Sequence, residues 1–148
     1  MRLAAIVFVW ILVILMVLFY LLGRKSQKGS APGMVDGRLA PCSSKPNCVS
    51  SEDGTPDDKK VRPFRGVPKA DIKRAITVLG GHISREDDRY LAAEFTSKLY
   101  KFVDDLELRF DGDITHIRSA SRVGYSDRGV NRRRVEALHA SINEDNNE

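Results

Sequence analysis

The chain has 148 residues, a formal net charge of +4 and two cysteines. This length suits one domain together with an anchor or a tail. Arg2, Arg24, Lys25 and Lys28 flank an apolar stretch and account for the whole positive excess, so the chain from Gly29 onward is electrically neutral. That balance argues against binding to nucleic acid, which needs a surplus of unpaired positive charge.

The first predicted element is an apolar helix that runs from Leu3 to Leu22 without a charged residue. About twenty helical residues span about 30 Å, the thickness of the hydrocarbon layer of a membrane. A cleavable signal peptide has a shorter apolar core of about 7–15 residues, and here Pro32 directly follows the only passable cleavage site, 29–31. We therefore predict a retained single-pass anchor over 1–23, with the lipid bilayer as its partner.

Residues 24–37 are rich in Gly, Ser and Lys and lack apolar periodicity, which predicts a flexible linker. A coil of about fifteen residues has a root-mean-square reach of about 20 Å. Such a linker would keep the following domain, predicted over 38–148, at the bilayer surface. The stretch from 38 to 66 is interpreted as irregular chain on that domain, held by Val61 and Phe64.

Two interpretations are open for Cys42 and Cys48, which close a short loop containing a proline. Two neighbouring cysteines with none elsewhere are typical of a small structural disulfide in an oxidising compartment, and the alternative is two reduced thiols. A zinc site is not expected, because the two cysteines supply only two of the four ligands that a structural zinc ion needs and the three histidines are scattered along the chain. The basic residues after the apolar helix favour a cytoplasmic domain. A disulfide favours the periplasmic side of a bacterial inner membrane, which is our expectation.

The remaining chain alternates between helical and extended patterns. Pro68 suits a first helical turn, the stripe that follows it predicts a helix to Leu79, and two glycines end it. Strands are predicted near 82–85 and over 90–97, 101–110 and 114–123, followed by a helix over 128–142. This order predicts an α+β fold, a small antiparallel β-sheet with helices on one face.

The dipeptide Asp111-Gly112 predicts a two-residue hairpin turn that pairs Leu106 with Ile117 and Asp104 with Ser119. In this register one face of the hairpin is apolar and belongs to the core: Phe102, Leu106, Leu108, Phe110, Ile117 and Val123. The other face carries a charged ladder: Asp105, Glu107, Arg109, His116, Arg118 and Arg122. His116, opposite Glu107, is interpreted as part of a surface pair.

Three segments, LAPCSSKPNCVSS, FVDDLELRF and RSASRVGYSDRGVNRRR, resemble in order the motifs of the uncharacterised family labelled domain of unknown function 1499. The resemblance covers roughly residues 39 to 140. One departure is Lys45, which stands where small residues or proline are common between the cysteines. The resemblance implies a domain that often follows an export or membrane segment, and it implies no known activity.

Asp104 lies at an inward position of an otherwise apolar strand face. A buried carboxylate needs a charge partner or several hydrogen bonds, so one interpretation is a core ion pair with Arg132 or Arg134. The other is a polar pocket between the sheet and the last helix, suited to a small anionic or amphipathic ligand. Its candidate lining residues are Asp104, Ser119, Ser121, Arg122, Tyr125, Asp127, Asn131, Arg132 and Arg134.

Catalysis has less support from the pattern. Asp104 and Asp105 point to opposite faces of one strand and do not readily share a metal ion, and His116 faces away from Ser119 and Ser121. We therefore expect a non-enzymatic domain, without cofactor or metal, that binds an anionic small ligand, a lipid or an envelope protein near the membrane. The alternative is an enzyme that acts on an anionic envelope or lipid substrate through the pocket of Asp104 and an arginine.

Overall fold

A computed structural model describes residues 2–145 and contains the predicted α+β architecture. The helices are α1 (Arg2–Gln27), α2 (Lys69–Val78) and α3 (Val130–Asp145). The strands are β1 (Met34–Val35), β2 (Arg38–Leu39), β3 (Cys48–Ser50), β4 (Phe64–Arg65), β5 (His82–Glu86), β6 (Tyr90–Thr96), β7 (Val103–Asp111) and β8 (Ile114–Ser121). A 3-10 turn over Asp57–Lys59 precedes β4.

The main sheet has six antiparallel strands in the order β3-β8-β7-β6-β5, and β4 shares the outer edge of β8 with β3. Helices α2 and α3 pack on one face of this sheet, because their apolar stripes and the alternating apolar residues of the strands bury one another. The innermost side chains are fully buried: Ile72, Ile76, Leu91, Leu106, Leu108, Ile117 and Leu138. Phe64 is buried and Val61 packs against the same core, as the sequence predicts.

The hairpin of β7 and β8 turns at Gly112 and Asp113, one residue later than predicted. Asp111 therefore pairs with Ile114 and Leu106 with Ser119, so the predicted partners are wrong by two residues. Gly112 has a φ of +59°, and a hairpin turn with glycine at its first central position matches the twist of the strands. Because a shift of two preserves the alternation of faces, the predicted apolar and charged faces are the observed ones.

The charged face of the sheet is buried rather than exposed. Its side chains are at most 8% accessible at Asp105, Glu107, Arg109 and Arg118. The chain from 26 to 41 crosses this face, with the amide of Gly33 donating a hydrogen bond to Glu107 at 2.8 Å. The interpretation of Glu107 and His116 as a surface pair is therefore wrong, since Glu107 pairs with Arg118 and His116 lies across from Arg109.

Residues 24–37, expected to be flexible, are ordered against the domain in the structure. Helix α1 continues to Gln27, and β1 forms a short hairpin with β2. Leu39 of β2 is buried in a small apolar cluster with Tyr90 and Ala92. The segment therefore packs on the second face of the sheet and is not a flexible linker. The division of the chain into anchor, linker and domain stays a prediction.

Cys42 and Cys48 form a disulfide with their Cα atoms 5.6 Å apart. The bridge closes the loop directly before β3. Because Cys48 itself pairs with Ala120 of β8, the disulfide fixes this loop to the edge of the main sheet.

Removing the carboxylate of Glu107 tests the ionic face. Glu107 accepts hydrogen bonds from Arg118, the hydroxyl of Tyr90 and the amide of Gly33. Glu107→Ala leaves a buried guanidinium without its counter-charge and should lower the free energy of unfolding by about 3–5 kcal/mol. Urea denaturation of the full chain in mild detergent, followed by circular dichroism, measures the change.

The matched control is Glu136→Ala, which removes an exposed carboxylate from α3. A surface change of this kind should alter the free energy of unfolding by less than about 0.5 kcal/mol. Equal stability of the two variants would contradict a buried ionic face.

Candidate functional site

Asp104 meets Arg134 where the start of β7 lies beneath α3. The guanidinium of Arg134 donates a hydrogen bond to the Asp104 carboxylate at 2.7 Å, and the two side chains are 10% and 16% accessible. The same guanidinium lies over the ring of Phe95, 4.5 Å from its centroid, where a cation is attracted by the ring. Of the two arginines considered from the sequence, Arg134 is the partner of Asp104.

Asn131 connects this ion pair to the surrounding chain. Its side chain is fully buried and accepts hydrogen bonds from the hydroxyl of Ser119 at 2.6 Å and from Arg134. Its amide nitrogen donates to Ser121 and to the carbonyl of Asn47. Every polar atom of the Asn131 side chain thus has a partner, so this residue fixes α3 to β8 and to the disulfide loop.

Asp127 lies just before α3 and caps its amino-terminal end. Its carboxylate accepts hydrogen bonds from the backbone amides of Gly129 at 3.0 Å and of Asn131 at 2.7 Å. Amides at the beginning of a helix have no partner within the helix, so the aspartate satisfies donors that would otherwise face solvent. The negative charge also stabilises the positive end of the helix dipole.

The structure brings together six of the nine predicted site residues and separates three. Asp104, Ser119, Ser121, Asp127, Asn131 and Arg134 form the network described above, whereas Arg122, Tyr125 and Arg132 lie outside it. Tyr125 is 71% exposed in the loop between β8 and α3. Arg132 points to another side of α3 and donates hydrogen bonds to the carbonyls of Asp58 and Lys60. Successive helical positions differ by about 100°, which is why Arg132 does not share the surroundings of Arg134.

Arg122 lies on the ionic face of the sheet and joins it to the end of α1. Its guanidinium contacts Asp105 at 2.6 Å and Glu94 at 2.5 Å, and its hydrogen bonds to the Asp105 carboxylate contribute most to raising the pKa of Arg122 above its ordinary value. The guanidinium also donates a hydrogen bond, 3.1 Å long, to the carbonyl of Ser26 in the last turn of α1. A cation at the carboxyl end of a helix is favourable because the unpaired carbonyls there are partially negative.

The last turns of α1 dock closely on the loop between β6 and β7. A Cβ atom on Gly23 would lie 1.9 Å from the carbonyl oxygen of Tyr100, so only glycine fits at this contact. Phe19 stacks on Tyr100 with ring centroids 5.5 Å apart. The hydroxyl of Ser26, which is fully buried, accepts a hydrogen bond from the amide of Val103. Sequence reasoning missed this contact, although Gly23 at the end of an apolar helix is a signal of close packing.

A cavity of about 320 Å³ lies between the end of α1, the β6–β7 loop and the loop before α3. Its apolar walls are Phe19, Leu22, Phe102, Val103, Val123 and Val130. Its polar lining is Ser97, Asp104, Ser121, Ser126 and Asp127. Asp104, Ser121 and Asp127 of the predicted network therefore belong to the polar floor of this cavity, and Phe19 and Leu22 of the membrane-length helix α1 belong to its apolar walls.

A larger cavity of about 610 Å³ runs between α3 and residues 60–63. It is a groove along the surface. Arg132, one of its lining residues, donates hydrogen bonds to backbone carbonyls. Burial lowers the pKa of His139 in this groove, and the ring contacts the carbonyl of Arg62. Between residues 2 and 145, no cluster of three or more His, Cys, Asp or Glu side chains could hold a metal ion.

The ion pair of Asp104 and Arg134 can be measured by a double-mutant cycle. Either Asp104→Ala or Arg134→Ala leaves one largely buried charge unpaired, and each should lower the free energy of unfolding by about 3 kcal/mol. The double variant should lose less than the sum of the two, by about 1–3 kcal/mol, because the contacting pair is coupled. Denaturation of the full chain in detergent gives all three values.

Arg133→Ala provides the control on the same helix, since Arg133 is exposed. Its combination with Asp104→Ala should be additive within about 0.5 kcal/mol. Additivity of the Asp104 and Arg134 changes would contradict the pairing.

The comparison with known families gives one match. The family model described as "Protein of unknown function (DUF1499)" matches residues 38–142, which include β2 to β8, α2 and most of α3. No curated protein and no solved structure matches the chain. Because the matched region covers most of the chain and contains the Asp104 network, the protein belongs to the family labelled domain of unknown function 1499.

Proposed function

We propose that this protein is a single-pass membrane protein whose domain faces the cell envelope and binds an amphipathic ligand, a membrane lipid, without chemically changing it. The cavity at the end of α1 is the observation that carries the proposal. It combines apolar walls with a polar floor, the combination typical of sites for amphipathic molecules. Its position beside an apolar helix gives a membrane lipid a short path into it.

Helix α1 supports the membrane anchor by length and composition. It has 26 residues and a mean hydropathy of 3.1 in its most apolar window, none of which is buried in the protein. A signal sequence near the amino terminus passes the same test. The close contacts of Gly23 and Ser26 with the domain favour a retained helix, because cleavage within it or directly after it would remove these contacts and expose buried groups such as the amide of Val103.

The disulfide between Cys42 and Cys48 supports an oxidising compartment, hence the periplasmic side of a bacterial inner membrane. The basic residues Arg24, Lys25 and Lys28 favour the opposite orientation. We give more weight to the disulfide, since these basic side chains also lie where they can contact lipid headgroups.

The charged residues around the cavity indicate which kind of lipid headgroup would bind there. Its charged lining residues are Asp104 and Asp127. Arg134 is engaged by Asp104 and Asn131, and Arg122 lies on the other face of the sheet. Of the anionic and amphipathic ligands considered from the sequence, this arrangement favours the amphipathic one. It favours a headgroup with a positive nitrogen and hydrogen-bond donors, as in a zwitterionic phospholipid with a primary ammonium group.

The enzymatic alternative has less support. An acid or base for catalysis needs a titratable group in reach of the reacting atoms. Asp104 is held by Arg134, and Asp127 is held by the first amides of α3. These contacts fit a role of the two carboxylates in ligand binding better than a role in proton transfer.

Thiol labelling in intact cells tests the compartment. Cys42 is partly exposed, so a thiol reagent should modify it only after reduction by a membrane-impermeant reductant. That result is expected if the oxidised domain faces outward. Labelling only after lysis, and without any reductant, would instead indicate a reduced domain in the cytoplasm and would contradict the orientation and the disulfide together.

Filling the cavity tests ligand binding. Val123→Trp adds bulk to an apolar wall of the cavity and should weaken binding of a phosphatidylethanolamine with a fluorescent acyl chain at least tenfold, measured by anisotropy with the full chain in detergent. Val35→Trp, the same change at an exposed position of β1, should leave binding unchanged. A fluorescent phosphatidylglycerol should bind the wild type more weakly, because its headgroup has no positive charge for Asp104 and Asp127.

Equal binding by the two tryptophan variants would contradict the cavity as the site. Stronger binding of phosphatidylglycerol would support a lipid site but would contradict the proposed role of the two carboxylates.

A further inference from the structure

The topology of the sheet gathers several chain segments at one end of the domain. At this end β5 and β6 pair through His82 and Glu94, β6 and β7 through Thr96 and Val103, and β8 finishes at Ser121. The end of α2, the β6–β7 loop and the loop between β8 and α3 therefore lie together. The last turns of α1 dock on the same end, because Gln27 donates a hydrogen bond to the carbonyl of Lys101. We call this end, formed by 78–81, 97–102 and 122–130, the anchor-side end.

Exposed apolar side chains are concentrated there. Val78, Leu99 and Tyr125 are 73%, 70% and 71% accessible, and Leu79 and Val130 are exposed as well. Outside α1, the other large apolar side chains that the structure describes as exposed are Met34 and Val35 of β1. The opposite end of the sheet carries charged residues in its turns: Asp87, Asp88, Arg89, Asp111 and Asp113. The domain is thus asymmetric along its strands, apolar toward α1 and charged away from it.

The docking of α1 determines how far this end lies from the apolar span. Phe19 belongs to the uncharged stretch of α1 that ends at Leu22, and it packs against both Tyr100 and Phe102. Phe19 lies three residues before Leu22, which corresponds to about 5 Å along the helix axis. If α1 crosses the bilayer, the β6–β7 loop therefore lies at the boundary between hydrocarbon and headgroups, not in bulk water.

The charges next to this loop suit a membrane surface. Lys98 and Lys101 are exposed on either side of Leu99 and Tyr100, and Arg24 and Lys25 are exposed on the last turn of α1. Basic side chains around apolar and aromatic residues are typical of segments that rest in the interface, where the ammonium groups reach the phosphates and the rings lie among the headgroups.

We propose that the anchor-side end is a second membrane contact: Leu99 and Tyr125 insert into the headgroup region of the same bilayer that α1 crosses. The inference rests on the span of α1 in the proposed function. It goes beyond an anchor, because the bilayer then holds the domain in one orientation, with its cavity opening at the lipid surface and its charged end outward. Exposure of Leu99 and Tyr125 is explained by this contact, since large apolar side chains grouped on a surface mark an interaction site.

Depth-dependent fluorescence quenching tests the proposal with the full chain in lipid nanodiscs. The chain has one tryptophan, Trp10, which lies inside the apolar stretch and reports on the span itself. The other reporters are Leu99→Trp and Tyr125→Trp, each combined with Trp10→Phe. Asp88→Trp in the same background is the control, because Asp88 is exposed in the turn at the charged end.

Spin labels placed at the headgroup or deep in the acyl chain act as quenchers. We expect Trp10 to be quenched mainly by the deep label. The tryptophans at 99 and 125 should lose at least half of their emission with the headgroup label, and the tryptophan at 88 should lose less than a tenth. The emission of the reporters at 99 and 125 should also shift to shorter wavelength when the full chain is moved from detergent into nanodiscs.

The outcomes separate this inference from the proposed function. Quenching of Trp10 without quenching at 99 or at 125 would overturn the second membrane contact and leave the anchor intact. A Trp10 that no lipid label quenches would overturn the span of α1, and with it both proposals. A blue shift at 99 or 125 that depends on protein concentration but not on lipid labels would indicate a protein partner for this end, which also contradicts the proposal.

Discussion

The arrangement of the molecule depends on the contacts that the guanidinium of Arg122 makes. It joins three parts of the chain, because it pairs with Asp105 of β7 and Glu94 of β6 and binds the Ser26 carbonyl at the end of α1. A buried charge without partners is strongly unfavourable, so these groups stay together or the site opens to water. The hydrogen bond from Arg122 thereby holds the end of α1 against the ionic face of the sheet.

Arg122 is one member of a buried ionic layer, and that layer explains why the chain from 26 to 41 lies across the sheet. Glu107 with Arg118 and Glu52 with Arg109 continue the same face. Arg109 provides the hydrogen bond that does most to offset the effect of burial, so the pKa of Glu52 stays below its ordinary value and the carboxylate stays charged. The amides that complete these pairs come from Gly33 and Leu39. Sealing this face brings α1 against the β6–β7 loop, so that the cavity lies between them and the apolar end of the domain lies beside α1.

Much of the secondary structure could be predicted because its signals are local. Alternation over 101–110 and 114–123 identified both strands and their apolar faces, and the stripe after Pro68 identified α2. Asp104 stood out as an inward carboxylate, and it does pair with an arginine of the last helix. The turn of the hairpin lies one residue later than the Asp-Gly dipeptide predicts. The Asp-Gly signal has two possible positions with the same alternation. With Gly112 at the first central position only the glycine needs a positive φ, whereas the predicted turn would require one of Asp111 as well.

The sequence by itself determined the apolar helix, the α+β class and the family motifs, since these depend on composition, periodicity and short spacings. Only the tertiary structure decided which polar residues share a site. Arg122, Arg132 and Tyr125 stand in one short stretch with Asn131 and Arg134, yet a strand end, a loop and the turn of a helix send them to different surroundings. The charged face could not be recognised as buried, because its cover comes from residues 26–41, about seventy positions away in the chain. Contacts between such distant segments have no local pattern that the sequence can display.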